Sequence, residues 1–182
     1  MQRLDRKIAV SLLRLSRGNM KVAVLMLFIV TAFLSMWISN TATAAMMLPL
    51  AMGMMSHLDQ EKERKTYVFV LLGIAYCASI GGLGTVVGSP PNMIAAKALN
   101  LDFVGWMKLG LPMMLLILPL MLFSMYVILK PNLNERVEVK AESIPWTLHR
   151  VIALLIFLAA AVAWVFSSKI KEAFGISNPD TV

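Results

Sequence analysis

Two polar interruptions of otherwise apolar sequence carry the groups that could bind ions. One is Ser39-Asn40-Thr41, and the other is the glycine- and proline-rich stretch at 81–92. A helix that begins after either interruption presents unpaired amide hydrogens and the positive end of its dipole, which suit a carboxylate. A helix that ends there exposes carbonyl oxygens, which suit a hard cation such as sodium. The pattern therefore predicts a joint site for an anion and a cation.

Individual residues fit these two roles. Ser35 lies four residues before Ser39, so on a continuous helix both hydroxyls would face the same ion. Gly88 permits the close backbone approach that coordination requires. Ser89 precedes Pro90 and has the pattern of an N-cap followed by proline at the first helical position. These residues are the candidate ligands.

The coupling ion is predicted from what the apolar segments lack. No Asp, Glu, His, Lys or Arg occurs in 22–56 or in 66–96. A proton relay normally needs a carboxylate or histidine within the membrane. Neutral oxygens alone favour sodium over protons.

Each pattern also has a purely structural interpretation. Gly84 and Gly88 form a small-xxx-small pattern, which allows close helix packing without any ligand. Ser39-Asn40-Thr41 could be a simple turn between two helices. The glycine stretch is not a dinucleotide fingerprint, because Val87 stands at the third glycine position, and no Gly-Lys-Ser/Thr follows to make a P-loop.

The elements that carry these residues are apolar enough for a membrane. The chain has 182 residues, of which 59% are hydrophobic and 15% charged, whereas a soluble domain has about 25% charged residues. The apolar residues form long runs, which predicts an all-α, polytopic integral membrane protein with a re-entrant helical hairpin and a discontinuous transmembrane helix. The net charge of +7 comes from Lys and Arg placed between apolar runs, so we expect no nucleic-acid partner. Cys77 is the only cysteine and is expected to be a small packing residue.

The predicted organisation has four parts: an amphipathic interfacial helix at 1–21, a transport core at 22–129, a cytoplasmic loop at 130–150, and a further transmembrane span with a tail at 151–182. Within the core we predict a re-entrant hairpin at 22–56, a broken helix at 67–99 and a span at 109–129. Ala42-Thr43-Ala44 resembles a signal-peptide cleavage site, but the apolar run before it is too long and apolar sequence continues after it.

Lysine and arginine counts predict the orientation. The segments 1–21, 57–66 and 130–150 hold 13 of these residues, against four in the remaining ones. The positive-inside rule places the richer side in the cytoplasm. We therefore expect a multi-pass protein of the inner or plasma membrane with a cytoplasmic N-terminus.

The two motifs together resemble the divalent anion–sodium symporter family, which carries dicarboxylates, citrate and sulfate. The resemblance rests on Leu34 to Thr43 with Met47-Leu48-Pro49, and on Gly73-Ile74-Ala75-Tyr76 with Gly81-Gly82 and Gly88-Ser89-Pro90-Pro91-Asn92. It implies that Ser35, Ser39, Asn40 and Gly88 form a sodium site, and that Asn40, Thr41, Ser89 and Pro90 form half of a carboxylate site. Ser89 replaces the threonine of many relatives and keeps the hydroxyl.

The resemblance also implies a homodimer and an elevator movement. Complete family members are much longer and have an inverted second half with its own Ser-Asn-Thr tip, so this chain is expected to be a fragment or to need a complementary second-half chain. The predicted activity of the parent is sodium-coupled secondary transport of a di- or tricarboxylate, and not an enzyme reaction. The alternatives are a non-transporting membrane packing or assembly subunit and an inactive truncated fragment. The sequence does not choose among succinate, malate, citrate, tartrate and sulfate.

Overall fold

The computed structural model describes residues 18–135 and eight further residues between 152 and 166. The described part is helical and contains no β-strand, so the predicted all-α class is confirmed. Its helices are α1 (Met20–Ser35), α2 (Asn40–Met54), α3 (Arg64–Gly81), α4 (Pro90–Ala98) and α5 (Phe103–Leu129). Most of the predicted helix at 1–21, most of the loop at 130–150, and the span and tail at 151–182 apart from those eight residues lie outside the described residues.

The turn between α1 and α2 begins earlier than the sequence predicts. We expected a helix as far as Ser39, but α1 ends at Ser35. Ser39 has extended backbone angles, φ −56° and ψ 144°, which do not continue a helix. It becomes the N-cap of α2 instead, where Ala42 N–H donates to its Oγ at 3.4 Å. Ser35 and Ser39 therefore do not lie one turn apart on one helix.

The second interruption falls within the glycine- and proline-rich stretch. After α3 ends at Gly81, a short 3₁₀ turn covers Gly82–Gly84, and Thr85 is extended with φ −132° and ψ 162°. Ser89 occupies the N-cap position of α4 without a side-chain cap hydrogen bond, and proline begins the helix. Proline suits this position because its missing amide hydrogen would have no helical partner there.

Helix α5 begins six residues before the predicted start at 109. Asp102 is responsible, because its carboxylate accepts the Gly105 N–H at 2.7 Å and caps the first turn. The helix continues through Pro112 and Pro119 to Leu129. Its 27 residues correspond to a length of about 40 Å.

The central helix is α3, which packs against α1, α2 and α5. Its face toward α1 carries Gly73, Cys77 and Gly81 at intervals of four residues. A Cβ on Gly73 would lie 2.2 Å from Cζ of Phe28, and one on Gly81 would lie 2.4 Å from the Ala32 carbonyl oxygen. Only glycine permits this approach of the two helices. Cys77 is fully buried on the same face, as a packing residue would be.

Two described segments are long and apolar enough to cross a membrane. They are Arg64–Gly84, with mean hydropathy 1.8, and Phe103–Leu129, with mean hydropathy 2.3. Only 6% of the apolar window of α5 is buried within the chain, so this helix offers apolar surface to its surroundings, as a lipid-facing helix does. The re-entrant depth of α1 and α2 stays a prediction.

Candidate ion-binding site

The end of α1 meets the start of α2 beside the end of α3. Ser35 is fully buried, and its hydroxyl donates to the Ala78 carbonyl at 2.6 Å. Its Oγ also lies 2.7 Å from Oδ1 of Asn40. A hydroxyl has one proton and cannot donate to both oxygens. The Ala78 carbonyl also accepts the Gly82 N–H, so the Ser35 hydroxyl is free to donate to Asn40 instead; a rotated Asn40 amide or a cation bound by both oxygens would complete the pair as well.

Two glycines make room for this pair of side chains. A Cβ on Gly82 would lie 2.3 Å from Asn40 Oδ1, so the amide rests directly on the glycine backbone. A Cβ on Gly88 would lie 2.4 Å from the Gly82 carbonyl oxygen and 3.0 Å from that of Ser35. The structure thus brings Ser35, Asn40 and Gly88 together around Gly82, and the two interruptions of the sequence are in contact.

Two buried polar side chains hold the unwound stretch in place. The Thr85 hydroxyl donates to the Met36 carbonyl and accepts the Gly88 N–H at 3.1 Å. The Asn92 Nδ2 donates to the carbonyls of Gly82 and Thr85 at 2.7 and 2.8 Å. Buried backbone groups that leave a helix need such partners, because an unpaired group costs free energy. Thr85 also ties the stretch to the end of α1.

The start of α5 covers another side of the 3₁₀ turn. The indole N–H of Trp106 donates to the Leu83 carbonyl at 3.0 Å. A Cβ on Gly110 would lie 2.3 Å from the same oxygen, so α5 approaches the turn as closely as glycine allows. Leu83 O therefore already has a side-chain partner from α5.

The other predicted residues lie at the two helix N-termini. Ser39 is exposed and its hydroxyl caps α2, Thr41 is exposed in the first turn of α2, Ser89 is half-buried, and Pro90 is exposed. No side-chain hydrogen bond within the described ranges joins these four residues to the pair formed by Ser35 and Asn40. Their participation in the site stays a prediction.

Sequence reasoning assigned no role to four residues that shape the site. The Ala78 contribution is a backbone carbonyl, which leaves no signal in a side chain. Gly82 and Asn92 belong to the recognised motif, and Thr85 lies between them, but only the folded chain shows their partners. Among the described residues, no group of three or more His, Cys, Asp or Glu side chains could hold a metal. A cation here would meet neutral oxygens.

A bundle of apolar helices, one of them broken beside a cluster of neutral oxygens, is the architecture of a membrane transporter. A family described as "Citrate transporter" matches residues 3–177, and the chain belongs to this family. The predicted resemblance to the divalent anion–sodium symporters is confirmed at this level. The family and the named relatives are transporters, which also confirms that the chain is not an enzyme.

Three relatives show the range of similarity. An uncharacterised transporter of Haemophilus influenzae is 56% identical over 170 residues, which cover 93% of this chain and 37% of the relative. An uncharacterised transporter of Methanocaldococcus jannaschii is 36% identical over 180 residues, covering 98% and 40%. The sodium-dependent dicarboxylate transporter SdcS of Staphylococcus saprophyticus is 28% identical over 159 residues, covering 75% and 31%. The chain thus spans at most two fifths of the length of these relatives.

Proposed function

We propose that the protein takes part in sodium-coupled transport of a di- or tricarboxylate, or a related divalent anion, and that this chain supplies about half of the binding site. The observation that carries the proposal is the 2.7 Å approach of Ser35 Oγ and Asn40 Oδ1 beside the Ala78 carbonyl, where the Ser35 hydroxyl has one proton for two acceptor oxygens. Such a cluster of neutral oxygens at helix ends suits a dehydrated sodium ion. The similarity to a relative named as a sodium-dependent dicarboxylate transporter supports the same choice.

The sodium ion would bind to Ser35, Asn40 and Gly88, with Ser39 next to them on the turn. Gly88 would contribute through its backbone, which comes close to that of Ser35, since a Cβ on Gly88 would lie 3.0 Å from the Ser35 carbonyl oxygen. Asn92 and Thr85 use their hydrogen bonds to hold the surrounding backbone. They would therefore hold the backbone of the site without serving as ligands.

The anion would bind at the N-termini of α2 and α4. Asn40 and Thr41 begin α2 and would offer their backbone N–H groups to a carboxylate, whereas α4 begins with two prolines, which have none, and would contribute its helix dipole and the Ser89 hydroxyl. Asn40 belongs to both sites. A sodium ion that fixes the Asn40 side chain also orders the first turn of α2, which gives the coupling between cation and anion a physical basis.

The membrane arrangement is part of the proposal. We place the hairpin formed by α1 and α2 as a re-entrant element, with the N-terminus in the cytoplasm and the protein in the inner or plasma membrane. The apolar surface of α5 would contact lipid. The rest of the site would come from the second half of a full-length parent, which would form a homodimer, or from a complementary second-half chain.

Uptake of radiolabelled succinate or citrate into proteoliposomes tests the proposal. This chain would replace the matching segment of the Haemophilus influenzae relative, so that a full-length transporter carries the site. We expect Asn40→Ala to lower sodium-dependent uptake by about tenfold or more, since it removes an oxygen shared by both ions. Asn134→Ala, at an exposed position, is the matched control and should leave uptake unchanged.

Wild-type uptake by the Asn40→Ala protein would contradict the assignment of this residue. A packing subunit, the alternative function, predicts no sodium-dependent uptake by the unsubstituted protein. It also predicts that the isolated chain unfolds at the same temperature in sodium chloride and in choline chloride.

A further inference from the structure

Thr43 is a buried residue of α2 whose hydroxyl has no hydrogen-bond partner among the residues that the structure describes. Its side chain is fully buried. A buried hydroxyl without a partner loses its contacts with water and gains nothing in return, which is a net cost to folding. Such a group calls for an explanation, and a ligand that binds to it is one.

A threonine in a helix has an easy way to avoid this cost, and Thr31 uses it. The Thr31 hydroxyl, equally buried in α1, donates to the carbonyl of Leu27 four residues earlier at 2.6 Å. The corresponding acceptor for Thr43 is the carbonyl of Ser39, which the Thr43 hydroxyl does not engage. The two buried threonines therefore differ in what their hydroxyl groups are free to bind.

Helix geometry places Thr43 on the side of α2 that carries Asn40. Thr43 follows Asn40 by three residues, so the two side chains lie on the same side of the helix. Side chains of a helix tilt toward its N-terminus, which brings the Thr43 side chain over the turn that Asn40 begins. Thr41, in contrast, is exposed. The buried side of this turn is the side on which Asn40 meets Ser35.

We propose that Thr43 Oγ1 is a further oxygen ligand of the monovalent cation bound by Ser35 and Asn40. The inference rests on the proposed sodium site and adds a ligand to it. A hydroxyl oxygen is a hard neutral donor of the same kind as Ser35 Oγ, and a bound cation would satisfy the oxygen that the protein leaves without a partner.

Thermal unfolding of the purified chain in detergent, in sodium chloride or choline chloride, tests the ligand. Thr43→Val keeps the shape of the side chain and removes the oxygen. In choline we expect its unfolding temperature to equal or exceed that of the wild type, because a costly group has been removed. In sodium we expect the concentration for half-maximal stabilisation to rise by about fivefold or more.

Three further variants separate a ligand from a packing residue. Thr43→Ser keeps the oxygen and should respond to sodium as the wild type does, whereas Thr43→Ala, which cannot clash, should need the same higher sodium concentration as valine does. Thr31→Val removes a hydroxyl that already has a protein partner, and should leave the sodium response unchanged.

A wild-type sodium response in both Thr43→Val and Thr43→Ala would overturn the inference and leave the proposed sodium site standing. A chain that shows no sodium response even without substitution would overturn the sodium site itself, and the proposed ligand with it.

Discussion

Replacing Gly82 by alanine should weaken sodium binding and leave folding nearly unchanged. The backbone of Gly82 has φ −58° and ψ −19°, so alanine can adopt it without strain. The added Cβ would lie 2.3 Å from Oδ1 of Asn40, and the next atoms it meets, at 3.1 Å, belong to the same amide. The substitution therefore acts on the side chain of one candidate ligand.

The expected displacement follows from these distances. A Cβ makes ordinary contacts at 3.4–4 Å, so Asn40 Oδ1 must move by roughly 1 Å, whereas a binding site tolerates about 0.5 Å. The oxygen now lies 2.7 Å from Ser35 Oγ and would leave that position. Misplacing one ligand should weaken sodium binding by about tenfold, or ~1.4 kcal/mol. The short side chain can rotate aside, so folding in the absence of sodium should change little.

Intrinsic fluorescence of the purified chain in detergent provides the assay, because Trp106 contacts the turn that contains Gly82. Sodium would be titrated at constant ionic strength with choline. The matched control is Gly53→Ala in α2, where an added Cβ would meet nothing within 4 Å. We expect the control to bind sodium as the wild type does. Equal sodium affinity of Gly82→Ala and wild type would refute the placement of Asn40 in the site.

Two other substitutions test the contacts that hold the backbone around the site. Gly81→Ala would bring a Cβ to 2.4 Å from the Ala32 carbonyl oxygen, which is backbone and cannot move aside. We expect this overpacking to lower the free energy of unfolding by about 1–3 kcal/mol, and an unchanged unfolding temperature would contradict the observed contact between α1 and α3. Thr85→Val would leave the Met36 carbonyl and the Gly88 N–H without their partner. We expect the free energy of unfolding to fall by about 1–3 kcal/mol and the Gly88 amide hydrogen to exchange faster, and Thr85→Ser should restore the slow exchange of this amide.

The helical fold and the places of its interruptions could be predicted because their causes are local. Apolar runs predict the helices, and the glycines and prolines of 81–92 predict the break, since Pro90 cannot continue a hydrogen-bonded helix. The start of α5 was misplaced by six residues because hydropathy does not register the cap that Asp102 supplies. The early end of α1 was missed for a similar reason. Ser39 can continue a helix or cap the next one, and sequence alone does not choose.

The site could be predicted only in part, because its contacts join residues far apart in the chain. Ser35 and Asn40 were found from the motif, and their contact confirms that the two residues are neighbours. The Ala78 carbonyl comes from a helix that begins some 30 residues later, and no side chain marks it. The role of Asn92 depends on the path of the unwound backbone between Gly82 and Thr85, which only the structure shows.

Direct binding of radiolabelled sodium to the purified chain in lipid nanodiscs tests the central claim. The account predicts saturable binding that is lost when Ser35 and Asn40 are both replaced by alanine. Sodium binding that never saturates, or that persists undiminished in the double variant, would contradict it.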